Sequence, residues 1–139
     1  MFDTFEGFDE RDVKWEEKNG YSDAVVGHLH LTSESLVLKN MRYPEMCVIK
    51  KGYFPESARG IEEKFCYVNL DMDLYKPTLE GLRFFYPLMV PGGIITIHDY
   101  FSAGYEGVNM ALREFIEETE DRIVPFPIGD HVSIAIQKR

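Results

Sequence analysis

The sequence has only two cysteines, few basic residues and no long apolar run, and each shortage excludes a class of protein. With 15 Lys and Arg against 24 Asp and Glu, the formal net charge is −9. This balance argues against a nucleic-acid partner, because phosphate binding needs clustered basic side chains. No apolar stretch approaches the roughly 20 residues that span a bilayer, and no basic segment precedes an apolar one at the start. We therefore expect a cytoplasmic protein with no membrane partner.

The two cysteines and two nearby histidines do not form a metal-site pattern. Cys47 and Cys66 each lie in an apolar, strand-like run, and their spacing matches no zinc motif. We predict two reduced, buried thiols. His28 and His30 could share one face of an extended segment, but two surface histidines are the simpler interpretation.

Apolar runs and helical spacings alternate along the chain. Apolar residues make up 45% and charged residues 28% of the 139 residues, which indicates a single globular domain over 1–139. Predicted strands are 47–50, 65–70, 94–97, 123–126 and 132–136. The nearly continuous apolar run at 65–70 is typical of a strand covered on both faces.

Helix signals fall between these strands. Thr32 or Ser33 can cap a helix that runs to about Met41. Pro77 suits a first helical position, and an apolar stripe marks a further helix over 108–116. The polar stretch 10–31 is predicted to be a long loop or lid. This alternation of buried strands and helices predicts an α/β fold with a mainly parallel sheet.

Acidic residues follow the two best strands, where ligands bind in open α/β sheets. Asp71 and Asp73 come after one strand, and His98 and Asp99 follow the next. Such carboxylates repel one another unless a cation, a shared proton or solvent compensates them. A divalent metal is one interpretation; helix capping or exposure to water is the other.

Two weaker signals concern nucleotide binding. Asp3 could accept both hydroxyls of a ribose if a strand ended there. Gly92-Gly93 precedes a strand instead of linking a strand to a helix, so we interpret it as a turn and not as a phosphate-binding loop.

Several segments together resemble the macrocin O-methyltransferase family in order and spacing. They are DTFEGF at 3–8, KGYFPES at 51–57, LDMDLYKPT at 70–78, PGG at 91–93 with HDY at 98–100, Gly107-Val108, and PIGD at 127–130. The combination of Asp-x-Asp-Leu-Tyr with Gly-Gly and Asp-Tyr is fairly specific, although each piece alone is not.

The resemblance implies a fold, a reaction and residue roles. The fold would be a Rossmann-like class I methyltransferase sheet, and the reaction would be methyl transfer from S-adenosylmethionine to a hydroxyl of a small molecule, often a sugar. Cofactor-side residues would be Asp3 at the ribose, Gly52, Tyr53 and Phe54 at the adenine, and Asp71. Asp71 and Asp99 would ligate Mg²⁺, and Asp73 would be the general base.

Two departures from the family pattern affect these expectations. Many sugar-modifying members have paired aspartates where this chain has His98-Asp99, and imidazole suits Mg²⁺ poorly; His98 would then be an altered metal ligand, a base or a polar wall. The family's first strand and glycine-rich turn would precede Asp3, so the resemblance implies an N-terminally incomplete sheet. Since a gap beside buried strands is costly, we expect another chain to fill it in a homo-oligomer.

Three hypotheses remain open from the sequence. The first is an O-methyltransferase that is either active or inactive as this chain alone. The second is a non-catalytic, methyltransferase-like module that associates through its incomplete sheet. The third takes Asp71-x-Asp73 as the metal–nucleotide motif of a glycosyltransferase, a short motif that often occurs by chance.

Overall fold

A computed structural model describes all 139 residues and contains four α-helices and six strands. The helices are α1 (Glu10–Asn19), α2 (Glu34–Asn40), α3 (Tyr75–Phe85) and α4 (Glu106–Glu118). The strands are β1 (Phe2–Asp3), β2 (Lys50–Lys51), β3 (Phe65–Leu70), β4 (Met89–Ile97), β5 (Phe126–Pro127) and β6 (Ile134–Gln137). None of the helices combines the length and the apolar character that crossing a bilayer requires.

The strands form two separate sheets. β1 pairs in parallel with β2, while the second sheet has the order β3-β4-β6-β5. β3 and β4 are parallel, and β6 runs antiparallel to both β4 and β5. The α/β fold is thus confirmed, although the larger sheet is mixed rather than mainly parallel. The outer edge of β3 has no strand partner, as the incomplete sheet predicted from the resemblance requires.

One face of the larger sheet carries the core. Val68 and Leu70 of β3 lie beside Ile95 and Ile97 of β4 on this face, and all four are buried. The apolar stripes of α3 and α4 pack against each other and belong to the same core cluster. Each fully buried aliphatic side chain contributes about 1.5–3 kcal/mol of transfer free energy. Burial of these four side chains therefore holds the ends of β3 and β4 in place.

The opposite face of β3 is open, which corrects the prediction that both faces are covered. Tyr67 is 58% exposed and Asn69 is also exposed. Their side chains meet at Thr96 of β4: the Tyr67 hydroxyl lies 3.0 Å from Thr96 Oγ1, which donates to Asn69 Oδ1 at 2.7 Å. An apolar run of residues therefore did not distinguish a strand buried on two faces from an edge strand buried on one.

The predicted turn at Gly92-Gly93 is wrong, because both glycines lie inside β4. The pairing of β3 with β4 shifts register here, between Phe65 and Tyr67. A Cβ on Gly93 would lie only 2.9 Å from the Val90 carbonyl oxygen, so glycine allows this irregular passage. Several other boundaries also moved. The strand predicted over 47–50 is β2, the one predicted over 123–126 is β5, and α3 begins two residues before Pro77.

The stretch 10–31, predicted to be a loop, contains α1. The Asp9 side chain accepts a hydrogen bond from the Arg11 N–H at 2.9 Å, and Gly20 ends the helix at a φ of 68°. These are ordinary start and stop signals, but the helix is mostly polar, so no apolar periodicity indicated it. The helix predicted from Ser33 to about Met41 is confirmed as α2, with Ser33 as its cap.

The prediction of buried thiols is also wrong. Cys66 is exposed and Cys47 is half-buried, and both are free. Cys66 lies on β3 and Cys47 on the segment before β2. His28 and His30 are exposed, as the surface interpretation predicts.

We expect Gly107→Ala to destabilise the fold, because α4 begins in close contact with the start of α3. A Cβ at this position would lie 2.8 Å from Tyr75 Cβ and 3.0 Å from its backbone nitrogen. Overpacking of this kind costs about 1–3 kcal/mol. Urea unfolding measures it, with Gly104→Ala as the matched control, since a Cβ there meets nothing within 4 Å. Equal stabilities of the two variants would contradict this packing.

Candidate active site

The carboxyl ends of β1, β2, β3 and β4 open into one cleft of about 340 Å³. All eight residues singled out in the sequence line it: Asp3, Gly52, Tyr53, Phe54, Asp71, Asp73, His98 and Asp99. The two sheets are separate, but their strand ends face a common space. This placement is what the rule for ligand sites in open α/β sheets predicts.

Asp71, Asp73, His98 and Asp99 form what we call the acidic cluster. His98 Nδ1 lies 2.8 Å from Asp99 Oδ2 and 3.0 Å from Asp71 Oδ1. The His98 N–H donates to the Leu70 carbonyl at 2.9 Å, which extends the β3–β4 pairing by one step and holds the two strand ends side by side. The cluster follows from this parallel pairing.

The backbone turns sharply at two members of the acidic cluster. Asp73 has a φ of 59° and Asp99 a φ of 56°. A non-glycine residue in this left-handed region costs roughly 1–2 kcal/mol, and such strain is concentrated at functional sites. Both side chains line the cleft, and Asp99 is only 8% exposed.

Asp73 holds its proton unusually firmly. Burial, a hydrogen bond to Asp99 and the charges of Asp99 and Asp71 together raise the pKa of Asp73 to about 7, while His98 opposes them. The cluster therefore compensates its carboxylates in two ways, by the proton on Asp73 and by the positive charge that His98 can carry.

We expect the His98 ring to titrate above the ordinary pKa of about 6.5. The hydrogen bond to Asp99 raises the pKa of His98 most, burial opposes it, and the charge of Asp71 adds to the rise. Since the folded pKa is the higher one, the stabilisation is present below about pH 6.5 and is lost as the pH rises through the folded pKa. Imidazole ¹⁵N NMR measures the titration.

Asp99→Asn is the variant that tests this assignment. Its amide keeps the shape of the side chain but not the charge, so the His98 pKa should fall towards its ordinary value. Glu117→Gln, an exposed position of α4, should leave it unchanged. An unchanged His98 titration in Asp99→Asn would contradict the assignment.

The other side of the cleft is built by β1 and β2. Asp3 Oδ1 accepts a hydrogen bond from the Phe5 N–H at 2.7 Å, which leaves the second carboxylate oxygen available. Gly52 donates its N–H to the Asp3 carbonyl at 3.0 Å, so the two segments are joined at this point. Phe54 lines the cleft but is mostly buried, in contact with the ring of Phe2.

Sequence reasoning missed Asp12, a cleft residue on α1 that is only 5% exposed. It accepts a hydrogen bond from the Tyr53 hydroxyl at 2.7 Å, and Lys76 Nζ lies 3.6 Å away. Burial raises the pKa of Asp12, which these two partners oppose. The cap at Asp9 and the stop at Gly20 were the signals that could have indicated α1 and, with it, this residue.

Only three residues of the acidic cluster have the geometry of a metal site. One ligand atom each from Asp71, His98 and Asp99 lies within 4.8 Å of the other two. The same His98 nitrogen contacts both carboxylates, so the imidazole stands where a cation would be held. Whether these residues ligate a metal stays a prediction, as do the roles of the other cleft residues.

Two solved methyltransferase structures have a similar fold. The chain matches "Structure of the O-methyltransferase NovP" with a TM-score of 0.73 and 19% identity, covering 99% of this chain and 58% of that one. It matches "Crystal Structure of CalS11, Calicheamicin Methyltransferase" with a TM-score of 0.73 and 18% identity, covering 98% and 58%. At these identities the matches show the class I methyltransferase fold, and the chain spans 58% of the length of either structure.

Curated protein sequences include no match to the chain. A family model does match it, the one described as Macrocin-O-methyltransferase (TylF), over residues 1–130. The matched range includes all eight predicted site residues, from Asp3 to Asp99. The chain therefore belongs to the macrocin O-methyltransferase family.

Proposed function

We propose that this chain carries the acceptor side and the ribose–adenine side of an S-adenosylmethionine-dependent O-methyltransferase, whose substrate is a hydroxyl of a small molecule such as a sugar. The observation that carries the proposal is the convergence of Asp73, beside Asp71 and Asp99, on the same cleft as Asp3. One face of the cleft then serves the cofactor and the other serves the reacting hydroxyl.

The cofactor-side residues fit the ribose and adenine of S-adenosylmethionine, which supplies the methyl group as a sulfonium. Asp3 has a free carboxylate oxygen for the ribose hydroxyls, while its other oxygen is held by Phe5. Gly52 and Tyr53 form the wall beside it. Asp71 borders the same space at the end of β3, whose outer edge is open. No strand of these 139 residues pairs with that edge.

Asp73 is the general base in this proposal. A neutral hydroxyl is a poor nucleophile, and a carboxylate within hydrogen-bonding distance assists by taking its proton as the oxygen–carbon bond forms. A pKa raised to about 7 suits this role, because a base is most effective when its pKa lies near the working pH. Alignment of the acceptor oxygen with the methyl group and sulfur supplies much of the remaining rate.

A divalent metal would be held by Asp71, His98 and Asp99, and the chemistry of these donors decides which ion fits. Asp71 and Asp99 offer two oxygen ligands, and His98 offers one nitrogen only after losing its proton. When bound, such an ion lowers the pKa of the acceptor hydroxyl. The imidazole favours a softer ion than Mg²⁺ at this position. Without an ion, His98 serves as a polar wall that neutralises Asp71 and Asp99.

Methyl transfer from ¹³C-methyl-labelled S-adenosylmethionine tests the proposal. A panel of nucleotide sugars and simple glycosides would be incubated with the chain, with added Mg²⁺, with Zn²⁺ and with a chelator. We expect a new O–¹³CH₃ signal on at least one acceptor and S-adenosylhomocysteine as the second product. Absence of both products in every arm would contradict activity of this chain.

A second candidate function is favoured by the open edge of β3. This edge, the uncovered face with Tyr67, and the separation of the two sheets leave unpaired strand groups that another chain can pair. In this alternative the chain is a non-catalytic module that forms a homo-oligomer. Light scattering discriminates, since a strictly monomeric, folded species removes the basis of the association.

A further inference from the structure

A buried carboxylate outside the acidic cluster has no part in the mechanism above. Glu16 of α1 is only 1% exposed. Its Oε1 accepts a hydrogen bond from the Tyr75 N–H at 2.7 Å, and its Oε2 accepts one from the Ser22 hydroxyl at 2.9 Å. Buried carboxylates are rare unless they are partnered in this way.

Glu16 supplies a helix cap that the local sequence lacks. The residue before α3 is Leu74, which has no side-chain acceptor for the first N–H groups of the helix. Glu16 lies 59 residues upstream of Tyr75 and provides that acceptor from another element. A negative charge at a helix N-terminus is also stabilised by the helix dipole, so this contact holds the first turn of α3.

Two further contacts are made at the first turn of α3, one with Tyr75 and one with Glu16. The Trp15 ring stacks on the Tyr75 ring with centroids 4.1 Å apart and an interplanar angle of 3°. On the α4 side, Gly107 approaches so closely that a Cβ would lie 3.1 Å from Glu16 Oε1. α1, α3 and α4 therefore converge on the Tyr75 backbone, with Glu16 at the centre.

Tyr75 is two residues from Asp73 in the chain. The Leu74 N–H donates to the Met72 carbonyl at 2.6 Å, and Asp73 has a φ of 59° between them. Since Asp73 sits in a tight turn that runs directly into the capped residue, movement of the Tyr75 N–H would move the Asp73 carboxylate. α1 is thereby connected to the acidic cluster without contacting it.

We propose that Glu16 is a positioning residue for Asp73: its hydrogen bond to the Tyr75 N–H holds the turn that directs the Asp73 carboxylate at the acceptor hydroxyl. The inference rests on the proposed methyl transfer, and it adds a residue of α1 that touches neither substrate nor cofactor. Glu16 would act on the chemical step and not on binding, because the ribose–adenine side of the cleft is built by β1 and β2.

Three variants separate this role from general stabilisation. Glu16→Ala removes the cap, Glu16→Gln keeps an oxygen that accepts from the Tyr75 N–H, and Ser22→Ala removes only the second partner of Glu16. Amide hydrogen exchange at Tyr75, with Leu82 in the middle of α3 as the internal reference, reports on the turn. Methyl-transfer kinetics give kcat and the KM for S-adenosylmethionine.

In Glu16→Ala we expect exchange at Tyr75 to become about tenfold faster, with Leu82 unchanged, as the loss of a charge-assisted hydrogen bond implies. We expect kcat to fall roughly tenfold with KM within about twofold, since misplacement of a catalytic group affects the chemical step. Glu16→Gln should restore both quantities, and Ser22→Ala should change neither.

Four outcomes would overturn the proposal. Unchanged exchange at Tyr75 in Glu16→Ala would show that Glu16 does not hold the turn. Faster exchange with an unchanged kcat, or an equal loss of kcat in Glu16→Gln, would reduce Glu16 to a stabilising cap. A wild-type chain that transfers no methyl group would remove the proposed function itself, and the exchange data would then assign Glu16 to the fold alone.

Discussion

Asp73→Asn is expected to lower kcat for methyl transfer by about 10²- to 10⁴-fold, the range that a general base contributes. Asn is close to Asp in shape but cannot take a proton, so binding of the cofactor should change little. The measurement is the rate of S-adenosylhomocysteine formation at saturating S-adenosylmethionine. Glu117→Gln on the exposed side of α4 is the control and should retain the wild-type rate.

The same variant has a pH-dependent effect on stability. The folded pKa of Asp73 is raised to about 7 from 3.8, so its contribution to stability is complete below about pH 4 and is lost as the pH rises to 7. Asp73→Asn does not ionise and escapes this loss. Its Tm relative to wild type should therefore rise between pH 4 and pH 8. A kcat equal to wild type, or a Tm difference independent of pH, would contradict the state assigned to Asp73.

Asp3→Asn is expected to weaken binding of S-adenosylhomocysteine by about 10- to 100-fold, because hydrogen bonds to a charged acceptor are worth about 1.5–3 kcal/mol. The Asn oxygen can still accept from the Phe5 N–H, so the local turn should persist. Isothermal titration measures the affinity.

Glu6→Gln is the matched control for Asp3→Asn, since Glu6 is exposed in the same turn and does not line the cleft. It should bind with the wild-type affinity. Equal affinity in all three proteins would remove Asp3 from the cofactor site and would leave the acidic cluster unaffected.

The position of the acidic cluster was predictable because it depends only on where two strands end and on their parallel pairing. The run 65–70 predicts a strand, and it is β3 with the predicted bounds. The next buried strand along the chain ends at Ile97, directly before His98 and Asp99, so parallel pairing places these residues beside Asp71. The location of side chains at strand ends can be predicted once the strands and their pairing are known.

Elements that depend on distant contacts were not predictable. α1 is mostly polar and is held by hydrogen bonds that Asp12 accepts from the Tyr53 hydroxyl and Glu16 accepts from the Tyr75 N–H. Such contacts leave no apolar periodicity in the sequence. Cys66 and Tyr67 are exposed because no other element packs over them. An apolar run in the sequence does not show whether such an element is present. The contacts of Gly93 and Gly107 likewise require the packed structure.

The open edge of β3 links the two candidate functions. If another backbone pairs with this edge, the cleft gains a wall beside Asp71, and association then completes the cofactor site. Family membership favours the methyltransferase and lends no support to the glycosyltransferase hypothesis. Association and catalysis therefore need not exclude each other in this chain.

The central claim is that the strand ends of this chain form one site for S-adenosylmethionine and its acceptor. Its most direct test is a titration of the isotope-labelled chain with S-adenosylhomocysteine, followed by backbone NMR. The account predicts saturable shifts at Asp3, Gly52 and Tyr53 together with smaller ones at Asp71 and Asp73. A spectrum unchanged at millimolar ligand, or shifts confined to residues outside the cleft, would contradict it.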